Sequence, residues 1–338
     1  MKGTFRPSTA EDLPQIAGLL RRAFAGSAPV APDLMTWKYW SKREDWSEPR
    51  SYVYEKDGAI VAHAGLWPVT FPGQERPVRG IQMIDWASSP DSPGAGVAVL
   101  QKLVQLFDFI YSIGGSEATR RVLPSFGFGE AARAWTGARP LRPLRQILTH
   151  QRRGWKLAPR LIRNWMWSRG AAGQGTEGWH AAEVDPPKLS ADLGIDPVFS
   201  RRGRAFFEYL GRCPAVPFRI YEIRRDEASL GYFVLGLSRG QARLAGLWLR
   251  EAGPKPWRIA LTLAQGAARG WPGANEFAAM GSLGPSAEAA VQSGLRLLRE
   301  TPVYLLSRKG FRFPENYQFQ MADDDAAFLD PGEANYLT

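Results

Sequence analysis

Cysteine is almost absent from the 338 residues: Cys213 stands alone, so an internal disulfide framework is excluded. Histidine is nearly as scarce, with His63, His150 and His180 far apart, too few and too scattered for a His-based metal centre. No apolar run reaches the roughly 18 residues of a membrane span. The first residues, MKGTFRPSTAEDL, lack the apolar segment of a secretory leader, and the cytoplasm is the expected compartment. Acidic residues are missing from 131–176, which holds ten of the 43 Lys and Arg; removing those ten leaves 33 basic against 33 acidic residues. The net charge of +10 therefore belongs to one segment, and DNA binding is not expected of the balanced remainder. What is present is a 44% apolar, 22% charged chain, long enough for two domains with real cores.

Ile81–Val104 is the most informative stretch. Ile81 to Ile84 read as a strand, the chain breaks at Ser88-Ser89-Pro90-Asp91-Ser92-Pro93, and a helix restarts at Gly94-Ala95-Gly96, with Gly96, Leu100, Leu103 and Phe107 on one stripe. A strand, a small-residue loop and a helix N-terminus together present free N–H groups to a phosphate, and glycine lets the backbone come close. A tight strand-to-helix turn without a ligand has the same pattern.

Around this unit the order is α/β. A short strand ends at Phe5-Arg6. An amphipathic helix follows on Leu13, Ile16, Leu20 and Phe24, with Ser8 or Thr9 as its cap, and a second helical piece spans 33–40. Two strands flank the hairpin turn Lys56-Asp57-Gly58. After the central strand and helix come a strand at Phe109-Ile110-Tyr111, a helix from Ser116 to Leu123, and Gly127-Phe128. Asp85-Trp86-Ala87-Ser88-Ser89-Pro90, then Gly94-Ala95-Gly96, Ser116-Glu117-Ala118 and Phe126-Gly127-Phe128, in this order, resemble the GNAT superfamily of acyl-CoA N-acyltransferases over about residues 3–136.

That resemblance implies a mixed sheet whose fourth strand ends at a splayed point where a pantetheine arm lies. It implies acetyl-CoA or another acyl-CoA as donor, with Trp86 and Ala87 offering backbone groups to pantetheine, and Gly94, Ala95, Gly96 and Val97 offering N–H groups to pyrophosphate. Two positions depart from the family pattern. Asp91 stands where the loop usually carries Gln or Arg, and Leu123 where a tyrosine often acts as general acid.

Beyond a connector over 137–200, the element order returns: helix 204–210, strands 218–224, 230–237 and 241–250, helix 257–268, strand 276–280, helix 286–292, then Gly294-Leu295 in the place of Gly127-Phe128. The expected architecture is α/β, two GNAT-like mixed-sheet domains in tandem, at 1–136 and 201–338. The second half has no Gly-x-Gly at its equivalent turn and is the poorer cofactor site. Tandem halves also resemble double-GNAT acyltransferases and the Fem-type aminoacyl transferases that modify cell-wall peptides.

Transfer of an acyl group to an amine requires an oriented thioester, a donor to its carbonyl oxygen and a base for the ammonium. Asp85 is the first candidate base, with burial at the strand's open end expected to raise its pKa. A structural carboxylate is the competing reading. His63, on the neighbouring strand, is the second candidate, though a lone strand histidine is more often a packed, hydrogen-bonded ring. Ser116 could touch the cofactor or simply cap its helix. Asp323-Asp324-Asp325, after a strand-like Tyr317–Met321, could hold a cationic substrate or a metal, but three adjacent carboxylates cannot all face one point and a solvated turn is the preferred reading. Within the connector, Pro159–Arg169 reads as a helix with Leu161, Ile162, Trp165 and Met166 on its packed side and Arg160, Arg163 and Asn164 on its wet side, and Gly170–Gly178 as a flexible linker.

The acceptor implied is a small-molecule or peptidoglycan/polysaccharide-type amine, less readily a hydroxyl, held between the halves. The alternatives are a Fem-type aminoacyl-tRNA-dependent transferase and a non-catalytic tandem module binding a carbohydrate or lipid. The basic segment 139–169 reads as a solvated strap across the halves, as an interfacial helix on an anionic membrane at its inner face, or as a grip for tRNA.

Overall fold

Asp57 and Gly58 both take left-handed backbone angles (φ +53° and +78°). This is the turn a two-residue hairpin requires, and it joins β2 (Ser51–Lys56) to β3 (Ala59–Phe71) in antiparallel register. In this computed structural model residues 3–24, 30–71, 77–149, 157–169, 176, 178–185, 199–200, 202–251, 253–330, 332, 334 and 336–338 are described. β1 (Thr4–Pro7) pairs with β2, and β4 (Val78–Ser88) with β3. The expected helices form at α1 (Leu13–Ala23), which buries Ile16 and Leu20, and α2 (Pro32–Tyr39). The chain then runs through α3 (Ala95–Leu106), β5 (Phe109–Ile113), α4 (Glu117–Val122) and β6 (Gly129–Pro140). Gly127 closes the α4 segment at φ +85°.

The connector carries α5 (Pro143–Thr149), α6 (Leu157–Ser168) and β7 (Trp179–Val184). The second half follows as α7 (Arg204–Gly211), β8 (Phe218–Arg225), β9 (Ala228–Ser238), β10 (Gln241–Leu249), α8 (Pro254–Gly270), β11 (Glu276–Ser282), α9 (Pro285–Gln292) and β12 (Arg296–Ser307).

The repetition extends to strand register. β4 is parallel to β5 over three pairs, Gly80–Phe109 to Gln82–Tyr111, and β10 is parallel to β11 over three pairs, Gln241–Glu276 to Arg243–Ala278. Just beyond, each of β4 and β10 carries a bulge against its antiparallel neighbour. Pairing, splay and bulge follow one another in the same order within a few residues in both halves, so the duplication is one of structure.

The halves exchange their last strands. The twelve strands among the described residues form one sheet in the order β1-β2-β3-β4-β5-β12-β6-β11-β10-β9-β8-β7. β12 pairs antiparallel with β5 of the first half, β6 with β11 of the second, and the two pair with each other. The boundaries at 136 and 200 are therefore not clean cuts. β6 runs through Pro140, and β7, inside the nominal connector, is paired along its whole length with β8. Of the flexible linker expected over 170–178, Gly170–Gly175 and Glu177 lie outside the described residues, as do Arg152, Arg153 and Lys156 of the basic segment.

A core shared by both halves sits beneath this junction. Trp37 stacks on Tyr209 (4.7 Å between centroids), and Phe328 of the C-terminal segment packs against Trp67 (4.5 Å). The C-terminal segment departs from expectation. Residues 317–320 form no strand, and Asp323 is buried rather than solvated. Its carboxylate takes hydrogen bonds from Ser200 and Arg202 (both 2.6 Å) and from the Tyr317 hydroxyl (2.9 Å). The segment crosses the face of the sheet, held by Trp67 Nε1 donating to the Ala322 carbonyl at 2.7 Å.

Candidate active site

The parting of β4 from β5 after Gln82 leaves the peptide groups of Met83 to Trp86 without a strand partner on the β5 side. A cleft of about 280 Å³ opens there, lined among others by Gln82, Asp85, Trp86, Ser116, Asp324 and Asp325. At its apex Asp85 has φ +49°, a strained region for a residue with a side chain. Three contacts hold it. Its carboxylate is ion-paired with the buried Lys38 Nζ and accepts from the Tyr39 hydroxyl at 2.6 Å. Its carbonyl accepts from His63 Nδ1 at 3.0 Å.

Asp85 does not have the raised pKa expected of it. Burial pushes the group up, but Lys38, in contact and equally buried, outweighs this and brings it below the usual carboxylate range, helped by Tyr39. His63 is fully buried with both ring nitrogens engaged, Nδ1 on Asp85 and Nε2 at 2.9 Å from Ser51 Oγ. Burial brings its pKa down to about 4, so the ring is neutral and donates through Nδ1. It lines no part of the cleft, and its geometry positions the Asp85 backbone.

The carboxylates with the opposite perturbation come from the C-terminal segment. Asp325 is raised well above the ordinary value, by burial first and then by the nearby Asp324 and Asp85, and Asp324 is raised by burial. Asp325 N donates to Asp324 Oδ1 at 2.8 Å, and Gln82 Nε2 donates to the same oxygen at 2.5 Å. At the opposite end of the Gln82 amide, Oε1 is buried without a donor among the described residues, on a residue only 2% exposed. The cleft thus combines an ionised carboxylate neutralised by Lys38, two carboxyls inclined to keep a proton, and an unused acceptor. A group bearing several N–H donors and one positive charge fits this set.

The helix that follows β4 starts as the motif predicts. Gly94 is the N-cap at φ +83°, and no side chain caps α3. Ala95 N reaches Ser92 O at 3.1 Å, whereas Gly96 and Val97, in the first turn, have no intrahelical acceptor for their N–H groups. A Cβ on Gly96 would come within 3.4 Å of Ser88 and Trp86. Glycine there lets the helix approach the strand, and Trp86 Nε1 fastens the two by donating to Gly96 O at 3.1 Å. Ala87 is buried and Asp91 is exposed on the loop. Ser116 caps α4, accepting from Thr119 N at 3.1 Å, on the rim of the cleft. Leu123 is fully buried in the core beneath α3 and offers no proton donor.

In the second half the equivalent splay is filled. Gln320 inserts its amide beside β10, with Oε1 accepting from Leu247 N (3.0 Å) and Nε2 donating to Leu247 O (2.9 Å), as a neighbouring strand would. The cavity left there is about 20 Å³. Pro254 and Pro256 also remove two N–H groups from the first turn of α8.

Nothing in the sequence singles out Lys38, Tyr39 or Gln82, and Asp324 and Asp325 stand there only as part of an acidic cluster whose preferred reading is a solvated turn. The aspartates were visible as a cluster, but nothing local indicated that the C-terminal segment crosses the sheet to reach β4.

Residues 4–108 match the acetyltransferase (GNAT) domain family model. No curated protein matches the chain. Among solved structures, the chain is similar to a proposed acetyltransferase from Pyrococcus horikoshii (TM-score 0.58, 12% identity, 99% of this chain and 96% of that one). It is similar also to a tandem GNAT protein from the clavulanic acid biosynthesis pathway, solved without acetyl-CoA (0.56, 12%, 90% and 98%). A GCN5-related N-acetyltransferase from Anabaena variabilis is a further neighbour (0.56, 11%, 90% and 72%). At these identities the likeness is one of fold, and it spans both halves. Among the described residues no helix is long and apolar enough to cross a membrane.

Proposed function

We propose, from the premise that residues 4–108 are a GNAT acetyltransferase domain within a duplicated fold, that the protein is an acyltransferase. It moves an acyl group, acetyl first among the candidates, from acyl-CoA to an amine held between the two halves. The observation that carries this reading is the contrast between the two splayed strand pairs: one is open and lined by titratable groups, the other is closed by the chain's own Gln320.

When bound, the thioester supplies an electrophilic carbonyl carbon, and the remaining work falls to this chain. The free peptide groups of Met83 to Trp86 align an extended amide-bearing arm as a strand would. The Gly96 and Val97 N–H groups and the positive end of α3 receive the pyrophosphate. Asp324 and the Gln82 Oε1 hold the acceptor's N–H groups, and Asp325 takes a proton from its ammonium. In the balanced reaction a C–S bond breaks and a C–N bond forms. Of the two protons the nitrogen loses, one ends on the thiol and one leaves through Asp325. Asp325 suits the base role better than Asp85, because Lys38 has already neutralised Asp85, whereas burial and the neighbouring carboxylates give Asp325 the higher proton affinity. The buried Leu123 favours a second reading, a non-catalytic module that binds acyl-CoA without turning it over.

Isothermal titration with acetyl-CoA tests the donor half of this reading. Heat of binding is expected with the native chain. Asp91→Arg, which puts a cation on the exposed loop before Gly94, should tighten binding by about three- to tenfold at low salt, with the gain shrinking as salt rises. Absence of heat from both proteins would overturn the proposal. Binding without hydrolysis or transfer across a panel of primary amines would favour the module.

A further inference from the structure

Helices α5 and α6 pack with their polar sides inward. The expected face of α6 is reversed: Asn164 is fully buried, while Ile162, Trp165 and Met166 are 62%, 48% and 57% exposed. Asn164 Nδ2 donates to Gln146 Oε1 of α5 at 2.9 Å, and Gln146 Nε2 donates to Thr338 Oγ1 (2.9 Å) and to Glu276 (3.1 Å). Leu144 and Leu148 stand two residues either side of Gln146, and Ile162 and Met166 two residues either side of Asn164. Two residues are about 200° of helix, so all four point away from the packed side. Leu144 and Leu148 are 66% and 83% exposed. This order inverts the ordinary amphipathic helix, and it is fixed. Arg160 Nε donates to the Thr338 carbonyl at 2.7 Å, and Arg139 and Arg269 donate to the Ser168 carbonyl at 3.1 and 3.0 Å.

The rim of this apolar face is cationic. Arg145, Arg163 and Arg169 are exposed, the Arg169 guanidinium lies over the Trp165 ring, and no acidic residue occurs between 131 and 176. We propose that the α5/α6 face docks on an anionic lipid surface, its leucines, isoleucine, methionine and tryptophan entering the head-group boundary and its arginines meeting lipid phosphates. A two-fold pairing of copies through this face would bring like-charged arginines together with no carboxylate from the segment to separate them. A nucleic acid would be met by apolar side chains at the most exposed positions, where its backbone requires cations.

Strand direction adds a consequence. β4 and β5 are parallel, β5 and β12 antiparallel, and β12 and β6 antiparallel. β4, β5 and β6 therefore all run toward one edge of the sheet, where the cleft opens and where the α5/α6 pair begins. Docking presents that edge to the lipid surface.

Co-sedimentation of the full chain with phosphatidylcholine vesicles, with and without phosphatidylglycerol, tests the proposal. Binding is expected only with the anionic lipid, weakening as salt rises. It should fall by at least about tenfold in Ile162→Asp/Met166→Asp, with the thermal transition unchanged. Leu148→Asp on the other helix provides an independent variant should the first misfold, and it should weaken binding in the same direction. Three results would overturn the proposal: no binding to either vesicle, binding indifferent to both variants, or a dimer at micromolar concentration that these substitutions dissociate. Salt-sensitive tRNA binding that competes with vesicles and survives both variants would also overturn it, in favour of a nucleic-acid surface.

Discussion

Asp325→Asn is expected to lower the rate of acyl transfer by about 10²- to 10⁴-fold, the usual worth of a positioned general base, while making the protein more stable. The two effects have one cause. Burial and the neighbouring Asp324 and Asp85 hold the Asp325 carboxyl well above its ordinary range. In the unfolded chain an aspartate loses its proton near pH 4, whereas in the native state Asp325 retains it to higher pH. Between those two values the native protein binds more protons than the unfolded one, so stability falls as pH rises through the window. Asparagine carries no charge at any pH and removes that slope. A gain in stability is therefore expected at neutral pH, vanishing toward pH 4. Thermal melts at several pH values, together with kcat for the best amine found, check both halves. A variant that is inactive and less stable at pH 7 would mean a structural role only. One retaining more than about a third of native activity would place the base elsewhere.

The pattern of gain and loss follows from how the site is assembled. Local sequence determines the strand around Ile81–Ile84, the break at Ser88–Pro93, and the glycine turn of Gly94 and Gly96 at the head of α3. These were legible because each depends on neighbours within a turn or two. The same holds for the hairpin at Asp57-Gly58 and for the duplicated element order. Three features were not legible, for a common reason. The exchange of β6 and β12, the passage of Asp324 and Asp325 to β4, and the plugging of the second splay by Gln320 join residues 73 to 242 positions apart. No periodicity records such a pairing. Helix α6 shows the converse failure. Its apolar stripe is plain in the sequence, but the side on which it packs is decided by Gln146, Glu276 and Thr338, which offer Asn164 a hydrogen-bonded interior. In the structure His63 is a packed, hydrogen-bonded ring and Ser116 caps α4 on the rim of the cleft.

The largest change in stability is expected at Lys38. Its ammonium and the Asp85 carboxylate are almost completely buried, with side chains 1% and 6% exposed, and Tyr39 and His63 complete the cage around them. Lys38→Met leaves that carboxylate buried without its counter-ion, a change that costs about 3–5 kcal/mol in comparable pairs. Lys38→Met/Asp85→Asn removes both charges and should recover most of the loss, because the desolvation cost disappears with the attraction. The pH dependence separates the two proteins in sign. In the native chain Lys38 keeps Asp85 below its ordinary pKa, so this pair stabilises above the unfolded value near pH 4 and its contribution declines as pH falls through the lower native value. Without Lys38, burial and the adjacent Asp325 dominate and Asp85 prefers its neutral form. The single variant should then become more stable, not less, as pH is lowered from neutrality toward about 5. Lys38 also holds Asp325 down, so any activity the variant retains should have its acidic limb displaced to higher pH. Equal stability losses in the single and double variants would show that the lysine is packing rather than charge. A single variant whose stability fell on acidification would mean that Asp85 finds another cation.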